Sequence, residues 1–290
     1  MLISSEWQDY KILKTGNGEK LEQWGSVTLL RPDPQIIWYS KENLGHYKGL
    51  HARYIRSDTG GGHWDKLKSM PDEWTISYKD LVFQVKPMGF KHTGLFPEQA
   101  LNWDKMRALV ENEKSKRKEQ IKALNLFAYT GGASVALAKS GAFVTHVDAA
   151  KAMVERAKAN CKLSKVSEKN TRWIVDDCKK FIERELRRGN YYDAILMDPP
   201  SYGRGANGEV WKLEENLYPL IELSVKLLSP NPLFFLLNSY TTGLGAAVMK
   251  NLLSLALKNF GGAVEAYELC LPTEEEGIIL PCGNSAIWTQ

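Results

Sequence analysis

The sequence predicts an α/β fold: a Rossmann-like parallel sheet with a C-terminal antiparallel hairpin, preceded by a small β-rich N-terminal domain. From Ala123 onward, apolar strand-like segments alternate with helical segments, which is typical of a parallel sheet covered by helices. Earlier in the chain, short alternating or aromatic stretches are separated by turn signals such as Gly16–Gly18 and Pro32–Pro34. We therefore predict a β-rich domain over residues 1–90 and an α/β domain over residues 91–290.

The N-terminal region contains four candidate strands and five of the nine tryptophans. The candidate strands are Ser26–Leu30, Ile36–Tyr39, Trp74–Ser77 and Leu81–Lys86. The five tryptophans are Trp7, Trp24, Trp38, Trp64 and Trp74. We interpret these rings as the core of a small β domain, with platforms on which exposed bases stack as the alternative.

The helical and strand segments of the second region follow one another in a regular order. A helical pattern from Pro97 to about Lys122 comes first, and its charged end predicts a solvated helix face, with a phosphate-contacting patch as the alternative. The predicted strands are Ala123–Tyr129, Phe143–Asp148, Thr171–Val175, Asp193–Asp198 and Leu233–Asn238. The predicted helices are Ser134–Lys139, Ala149–Leu163, Cys178–Arg188 and Leu213–Leu228. A hairpin of Ala263–Leu271 and Ile279–Thr289 is predicted to close the sheet.

Composition narrows the class of protein. The 290 residues are 43% hydrophobic and 25% charged, which is ordinary for a globular chain and argues against disorder. The net charge of +4 is compatible with a nucleic-acid partner without requiring one. The four cysteines form no C-x-x-C pair, so no metal site is predicted. Without a signal-like N-terminus or an 18-residue apolar run, we expect a cytoplasmic protein with no membrane association.

The segment Asn125–Ala133 contains two glycines between a short apolar strand and a helix. Glycines at such a turn let the backbone approach a ligand closely and leave N–H groups directed at it. Only Gly131 and Gly132 are present, so the turn lacks the G-x-G-x-x-G pattern that wraps a pyrophosphate. The alternative is a tight turn that only packs the helix on the strand.

Two further strands are followed by carboxylates. Asp148 ends the second strand, where an acidic residue can accept hydrogen bonds from both ribose hydroxyls of an adenosine-containing cofactor. Asp176 and Asp177 follow the third strand, and we favour Asp177 for the adenine amine, with the backbone amide of Cys178 meeting a ring nitrogen. For Asp148 and Asp177 alike, the alternative is a helix N-cap.

The fourth motif, Asp198–Gly205, begins with an aspartate and two prolines straight after an apolar strand. Prolines force a rigid extended turn and have no N–H groups of their own to satisfy. The Asp198 carboxylate and the carbonyls of Pro199 and Pro200 are thereby predicted to lie at the carboxyl end of the sheet, where open α/β folds bind ligands. Such a turn can accept hydrogen bonds from an amine.

Together, these four motifs resemble the class I S-adenosylmethionine-dependent methyltransferases. The resemblance is closest to the bacterial group related to the large-subunit ribosomal RNA methyltransferases of cytosine C5 and guanine N7, and it covers Phe90–Gln290. It implies S-adenosyl-L-methionine as cofactor and ribosomal RNA as partner. The implied cofactor-binding residues are Asn125, Phe127, Tyr129, Thr130, Gly131, Gly132, Asp148, Ala149, Asp177, Cys178 and, with Phe96 beside it, Gln99. The implied catalytic residues are Asp198, Pro199, Pro200 and Tyr202, the last stacking on the base.

The sequence departs from this group at three places. The segment after the fifth strand, Leu237–Gly243, has no cysteine, and 5-methylcytosine formation requires a thiolate nucleophile there. Cys282 would replace it only if the C-terminal hairpin folds over the site. Ser201 stands where adenine-N6 enzymes have an aromatic residue, with Tyr202 one position later. The N-terminal region does not resemble the RNA-binding module of the ribosomal RNA enzymes.

The leading hypothesis is therefore a methyltransferase of an RNA base, with nitrogen favoured over carbon. Arg204 and lysines of the helix Ala149–Lys165 are candidates for phosphate contacts. A protein side chain or small molecule is the alternative acceptor, favoured by residues 261–290, which contain five glutamates and no Lys or Arg. A non-catalytic cofactor-binding or scaffold protein is a third hypothesis. The sequence predicts no particular oligomeric state.

Overall fold

The computed structural model describes residues 1–57, 61–204 and 210–290. The chain divides into two compact units. The N-terminal unit comprises Leu2–Ala100 and Cys270–Cys282, and the α/β unit comprises Met1, Leu101–Leu269 and Gly283–Gln290. In the described residues, no helix is both long and apolar enough to span a membrane.

The α/β unit contains a mostly parallel sheet. Its strands are β9 (Lys122–Leu126), β10 (Phe143–Asp148), β11 (Thr171–Val175), β12 (Ala194–Met197), β15 (Phe234–Ser239), β16 (Ala263–Pro272) and β17 (Ile279–Thr289). In space they follow the order β16-β17-β15-β12-β9-β10-β11. The pairs from β15 through to β11 are parallel, and β17 pairs antiparallel with β15. The predicted Rossmann-like sheet with an antiparallel end is confirmed.

Helices precede the sheet and connect its strands. They are α1 (Ala100–Lys114), α2 (Gly132–Ser140), α3 (Lys151–Leu163), α4 (Cys178–Arg188), α5 (Leu213–Val225) and α6 (Ala246–Ala256). Two short strands, β13 (Tyr202–Arg204) and β14 (Val210–Lys212), pair antiparallel between β12 and α5. Gly205, the last residue of the motif after β12, lies outside the described residues, as do the neighbouring positions to 209.

The central strands β12 and β15 form because their side chains are mostly apolar and buried. Parallel strands covered on both faces bury every side chain, so they read as continuous apolar runs. Ile195 and Phe235 on the strands pack with Phe181 of α4 and Leu217 of α5 in one buried cluster. This core fixes the carboxyl ends of β9, β10, β11 and β12 beside one another.

The N-terminal unit is built from mostly antiparallel strands. They are β1 (Leu2–Ile3), β2 (Tyr10–Gly16), β3 (Glu19–Trp24), β4 (Val27–Pro32), β5 (Ala52–Arg56), β6 (Gly62–Lys66), β7 (Trp74–Tyr78) and β8 (Leu81–Val85). Strands β2 to β6 form a five-stranded sheet in chain order, in which only β4 and β5 are parallel, and β7 and β8 form a hairpin. Short 3₁₀ helices occur at Leu44–His46, Pro97–Gln99 and, in the α/β unit, Glu168–Asn170.

Several N-terminal elements differ from the sequence prediction. Ile36–Tyr39 is not a strand, because Pro34 begins a turn in which Ile36 N–H donates to the Asp33 carbonyl. The tryptophan-core interpretation is confirmed for Trp7 and Trp24, which are 8% and 0% exposed, whereas Trp38, Trp64 and Trp74 are only half-buried.

The division between the units also differs from the predicted boundary at residue 90. It falls after Ala100, because Ser4 and Trp7 side chains both donate to the Pro97 carbonyl, at 3.2 and 2.9 Å. Residues 270–282 belong to the N-terminal unit because Glu275 accepts hydrogen bonds from the Thr15 amide and hydroxyl, both at 2.6 Å.

Candidate functional site

The turn after β9 holds three residues with positive φ. Phe127, Tyr129 and Gly131 have φ values of 55°, 49° and 80°, a region that non-glycine residues seldom adopt. The backbone N–H of Tyr129 donates to Asp148 Oδ2 at 2.8 Å. The carboxylate after β10 therefore holds the turn after β9 in a conformation that costs backbone energy, and such strain is concentrated at functional sites.

Both glycines of this turn are required by packing inside the α/β unit. A Cβ on Gly131 would lie 2.7 Å from the Cβ of Ala157, and one on Gly132 would lie 2.7 Å from Trp103 Cζ2. Gly131 also has the left-handed conformation before the first residue of α2. The packing alternative raised from the sequence thus accounts for the absence of side chains at both positions, while the N–H groups that open α2 follow immediately.

A buried polar cluster supports the turn from within. The Asn125 carboxamide donates to Ser134 Oγ at 2.9 Å, and Ser134 Oγ lies 2.9 Å from His146 Nδ1. Asn160 Nδ2 donates to the Thr130 carbonyl at 2.9 Å. Burial lowers the pKa of His146 to about 3, so the ring is neutral at pH 7. Asn125, predicted as a cofactor residue, is 4% exposed and braces the turn through Ser134.

Asp148 joins the turn to the start of α3. Its Oδ1 accepts from the Ala150 N–H at 2.8 Å, while its Oδ2 accepts from Tyr129. Burial raises the pKa of the Asp148 carboxyl, although both backbone hydrogen bonds act to lower it. Ala149, the next residue, is exposed. Val175 at the end of β11, which is the register partner of Asp148, is 49% exposed. A carboxylate and an apolar surface thus stand side by side at the sheet edge.

Asp177 occupies the N-cap of α4. Its Oδ1 accepts from the Lys180 N–H at 2.9 Å, which is the capping geometry raised as the alternative. Asp176 accepts from the Asp177 N–H at 2.9 Å and forms an ion pair with Arg184. The buried Cys178 Sγ accepts from the Phe127 N–H at 3.3 Å, which ties the third strand end to the glycine turn.

The turn after β12 is fixed by β15. Asp198 is half-buried, and its Oδ1 accepts from Asn238 Nδ2 at 2.9 Å. Pro199 is buried and Pro200 is exposed. Ser201 Oγ and Thr241 Oγ1 lie 2.6 Å apart, which ties the turn a second time to the segment after β15. Asp198 is thus presented at the carboxyl end of the sheet, as the sequence predicts.

Trp211 of β14 is a residue of this region that the sequence did not single out. Its Nε1 donates to the Pro200 carbonyl at 2.6 Å, and its ring lies 5.6 Å from that of Phe127. The turn after β12 therefore comes next to the turn after β9. The signal in the sequence that could have indicated this contact is a tryptophan 11 residues after Pro200.

Tyr202 lies on β13 and is 55% exposed. A half-exposed aromatic ring beside the turn after β12 is available for stacking on a planar group. The side chain of Arg204, the candidate phosphate contact, is not among the side chains described.

Gln99 and Phe96 belong to the N-terminal unit. The Gln99 N–H donates to the Phe96 carbonyl at 3.1 Å at the start of the short helix Pro97–Gln99, and Phe96 packs on His92 with ring centroids 5.3 Å apart. The resemblance remains the basis for placing these two residues near a cofactor.

Cys282 also belongs to the N-terminal unit. Burial raises the pKa of its thiol well above the usual range, and the nearby Glu98 carboxylate adds to this. A thiol that stays protonated is a poor nucleophile, so the chemistry of Cys282 does not fit attack on a cytosine ring. In the described part of the chain, no group of three or more His, Cys, Asp or Glu side chains has an arrangement suited to a metal ion.

A family model described as S-adenosylmethionine-dependent methyltransferase matches residues 30–230. The crystal structure of the SAM-dependent methyltransferase from Agrobacterium tumefaciens is 35% identical, with a TM-score of 0.91 over 99% of this chain and 92% of that chain.

Curated relatives are named as ribosomal RNA methyltransferases. Ribosomal RNA large subunit methyltransferase K/L of Shewanella sp. (strain MR-4) is 33% identical over 59% of this chain and 23% of that protein. Ribosomal RNA large subunit methyltransferase K of Neisseria meningitidis serogroup B is 24% identical over 77% of this chain and 64% of that protein. The chain thus spans about a quarter of the length of the K/L relatives and under two thirds of the K relative.

Proposed function

The chain belongs to the S-adenosylmethionine-dependent methyltransferase family, and we propose that it transfers the methyl group to a nitrogen of a base in ribosomal RNA. The observation that carries the acceptor proposal is the Asp198 carboxylate, held by Asn238 at the end of β12 beside a half-exposed aromatic ring. The relatives named as ribosomal RNA methyltransferases support the choice of RNA.

The carboxyl ends of β9, β10 and β11 fit the proposed cofactor. Each oxygen of Asp148 accepts one backbone N–H, and a carboxylate oxygen has a second lone pair with which to accept a ribose hydroxyl. The exposed side chain of Val175 offers an apolar surface for the adenine ring, with Asp177 and the Cys178 amide at its edge. The N-terminus of α2, after Gly131, favours the negative charge of the methionine carboxylate.

The proposed contacts assign different roles to the remaining residues of the turn. Phe127, Tyr129 and Thr130 hold the backbone near the cofactor, and Asn125 acts indirectly by bracing the turn through Ser134. Ala149, exposed next to Asp148, lies along the ribose. We also keep Gln99 as a proposed cofactor contact, on the resemblance alone.

The acceptor end of the site is built to receive an amine. When bound, the cofactor supplies an electrophilic sulfonium methyl group. Asp198 and the Pro199 carbonyl accept hydrogen bonds from the amine and orient its lone pair, while the Pro200 carbonyl already accepts from Trp211. Positioning of this kind is a main source of rate acceleration. Tyr202 stacks on the base, and ionised Asp198 favours an N–H donor over a carbonyl.

The chemistry of the thiols supports nitrogen over carbon as the acceptor atom. No cysteine lies in Leu237–Gly243, and burial keeps Cys282 protonated. A protein side chain or small-molecule amine is the second candidate acceptor, supported by the acidic residues 261–290. A ribosomal RNA substrate agrees with the cytoplasmic location predicted from the sequence, which we retain as a proposal.

The test combines cofactor binding with turnover on RNA. We expect Asp198→Ala to lower kcat about 10²–10³-fold, because an oriented electrostatic contact to the reacting group is lost. The Kd for S-adenosylmethionine, measured by calorimetry, should stay within about twofold, since Asp198 is proposed to touch the acceptor. Unmodified large-subunit ribosomal RNA is the probe, and Asp198→Asn, which keeps a carbonyl acceptor, is the matched variant.

Three results would contradict the proposal. Retained turnover in Asp198→Ala would remove the acceptor-positioning role. RNA binding that does not weaken as salt rises would argue against phosphate contacts and favour the small-molecule or protein acceptor. No methyl incorporation into RNA by the unaltered chain, despite cofactor binding, would exclude the RNA substrate tested.

A further inference from the structure

Four buried polar side chains of the α/β unit lead to Asp198 in an unbroken series of hydrogen bonds. Tyr267 OH donates to Asn102 Oδ1 at 2.8 Å, and Asn102 Nδ2 donates to Ser285 Oγ at 2.9 Å. Ser285 Oγ then donates to Asn238 Oδ1 at 2.7 Å, and Asn238 Nδ2 donates to Asp198 Oδ1 at 2.9 Å. We call Tyr267, Asn102, Ser285 and Asn238 the polar chain.

The polar chain is buried beside apolar residue pairs of strands β15 and β17. Asn238 and Ser285 are register partners on β15 and β17, and they are 1% and 0% exposed. The preceding pairs of the same two strands, Leu237 with Ala286 and Leu236 with Ile287, are apolar. Burying polar groups costs free energy unless each finds a partner, so their use here points to a role at the end of the series.

An ionised Asp198 dictates the direction of every bond in the polar chain. A carboxylate only accepts, so Asn238 must turn its NH₂ group to Asp198 and its carbonyl to Ser285. Ser285 has one hydroxyl proton, which it gives to Asn238, and it therefore accepts from Asn102. Asn102 then presents its carbonyl to the phenol of Tyr267, which donates. All four donors are aligned toward the carboxylate.

We propose that Asn238, backed by Ser285 and Asn102, is a positioning residue that holds Asp198 in one orientation as a hydrogen-bond acceptor for the acceptor amine. This inference rests on the proposed role of Asp198. Ser285 and Asn102 lie too deep to touch a substrate, at 0% and 1% exposed, so they act through Asn238. The amine selectivity of the site is then built partly into β17 and α1.

The first test requires no acceptor. In nuclear magnetic resonance spectra, the Asn238 carboxamide protons, assigned with an Asn238→Asp variant, should exchange slowly with water in the unaltered protein. Ser285→Ala should shift this signal and speed its exchange at least about tenfold, since one of its two partners is removed. Ser224→Ala is the matched control, because Ser224 is equally buried and its hydroxyl donates to the Leu220 carbonyl within α5, away from the polar chain. An Asn238 signal unchanged in Ser285→Ala would overturn the polar chain.

The second test separates kcat from KM on unmodified ribosomal RNA. Asn238→Asp, which places a carboxylate against Asp198, should lower kcat about 100-fold, and Ser285→Ala about fivefold, because a small misplacement of a reacting group has effects of this order. KM and cofactor Kd should stay within about twofold, and Ser224→Ala should match the unaltered chain in every value. Thermal unfolding confirms that the variants are folded.

The outcomes distinguish the inference from the proposed function. If the unaltered chain does not methylate the RNA, the proposed function fails, and the exchange measurement still decides whether the polar chain holds Asp198. If the unaltered chain is active and both Asn238→Asp and Ser285→Ala keep its kcat, the proposed function stands and the positioning role is overturned.

Discussion

A buried cluster in the N-terminal unit and the buried groups beneath the candidate site of the α/β unit differ electrostatically. The groups of the N-terminal cluster are ions that pair with one another: Arg31 Nε and Nη2 donate to Glu22 at 2.6 and 2.8 Å. Beneath the candidate site of the α/β unit they are neutral amides, hydroxyls and an imidazole, although the unit also has an ion pair of the buried Glu185 with Arg172 away from these groups. The ions of the N-terminal cluster pair with one another, whereas the hydrogen bonds of the neutral groups lead to a carboxylate at the edge of the sheet.

The charges in the ion cluster of the N-terminal unit balance one another. Burial opposes ionisation of Glu22, but Arg31 and Lys20 outweigh it and lower the pKa of Glu22 to about 2. Tyr10 OH donates to the same carboxylate at 2.6 Å, and Lys20 also pairs with Asp33 at 3.1 Å. Since every charge here is balanced by a neighbour, the cluster serves stability.

The neutral groups of the α/β unit hold backbone and carboxylates in place. Asn125, Ser134 and His146 lie beneath the glycine turn, and the polar chain ends on Asp198. Neutral donors orient a carboxylate without neutralising it, which a buried lysine or arginine would do. The contrast indicates that the buried ion cluster stabilises the N-terminal unit, whereas buried neutral groups shape the candidate site of the α/β unit.

The largest effect is expected from Glu22→Gln, which tests the ionic side of the comparison. Removing one partner of a buried pair leaves Arg31 uncompensated, and the free energy of unfolding should fall by about 3–5 kcal/mol in urea titrations at pH 7. Glu155→Gln is the control, because the Glu155 pair with Lys158 is exposed, and it should cause no measurable change. Adding Arg31→Met to Glu22→Gln should recover most of the loss.

This contribution also has a defined pH window. The pKa of Glu22 is about 2 in the folded chain, below the value of about 4.5 expected when unfolded, so its stabilisation is complete above pH 4.5. It is lost as the pH falls from 4.5 through 2, and Glu22→Gln should lack that part of the acid sensitivity. A Glu22→Gln variant as stable as Glu155→Gln would break the comparison.

A smaller effect is expected from Gly131→Ala, which tests whether the site turn is also structural. The left-handed φ of 80° and the 2.7 Å approach of Ala157 should together cost about 2–3 kcal/mol of unfolding free energy. Gly243→Ala is the matched control: its φ is 89° but nothing lies within 4 Å, so it should cost only about 1 kcal/mol. Equal losses would mean that packing against α3 contributes nothing.

The parallel sheet could be predicted from the sequence because the pattern that indicates each strand and helix lies within that segment of the chain. The strands of the parallel sheet are largely apolar segments separated by helical periods, and the burial of its central strands makes that pattern almost independent of register. Strands β2 and β3 were missed because charged residues such as Lys11 and Glu22 interrupt their pattern, and only the folded unit shows which charge is buried.

The sequence predicted the carboxylates of the site but not the buried residues that hold them in place. Asp148 and Asp198 lie at strand ends, where position alone indicates a role. The register of β17 against β15 makes Asn238 and Ser285 partners, and Asn102 on α1 bonds to Ser285 from 183 residues away in the sequence. The glycine turn illustrates the same limit, since its contacts with Trp103 and Ala157 come from other helices.

The smallest effect is expected from Asp177→Ala, and it decides whether this carboxylate serves the helix or the cofactor. Loss of the N-cap bond to the Lys180 N–H should lower the free energy of unfolding by about 1 kcal/mol. If Asp177 also receives the adenine amine, its Kd for S-adenosylmethionine should rise about tenfold, since a charge-assisted hydrogen bond is lost. Asp177→Ser keeps a capping oxygen and removes the charge, so it should restore stability and leave the Kd raised. A Kd unchanged in both variants would make Asp177 a cap alone, and the adenine would then be held by Val175 and the Cys178 amide.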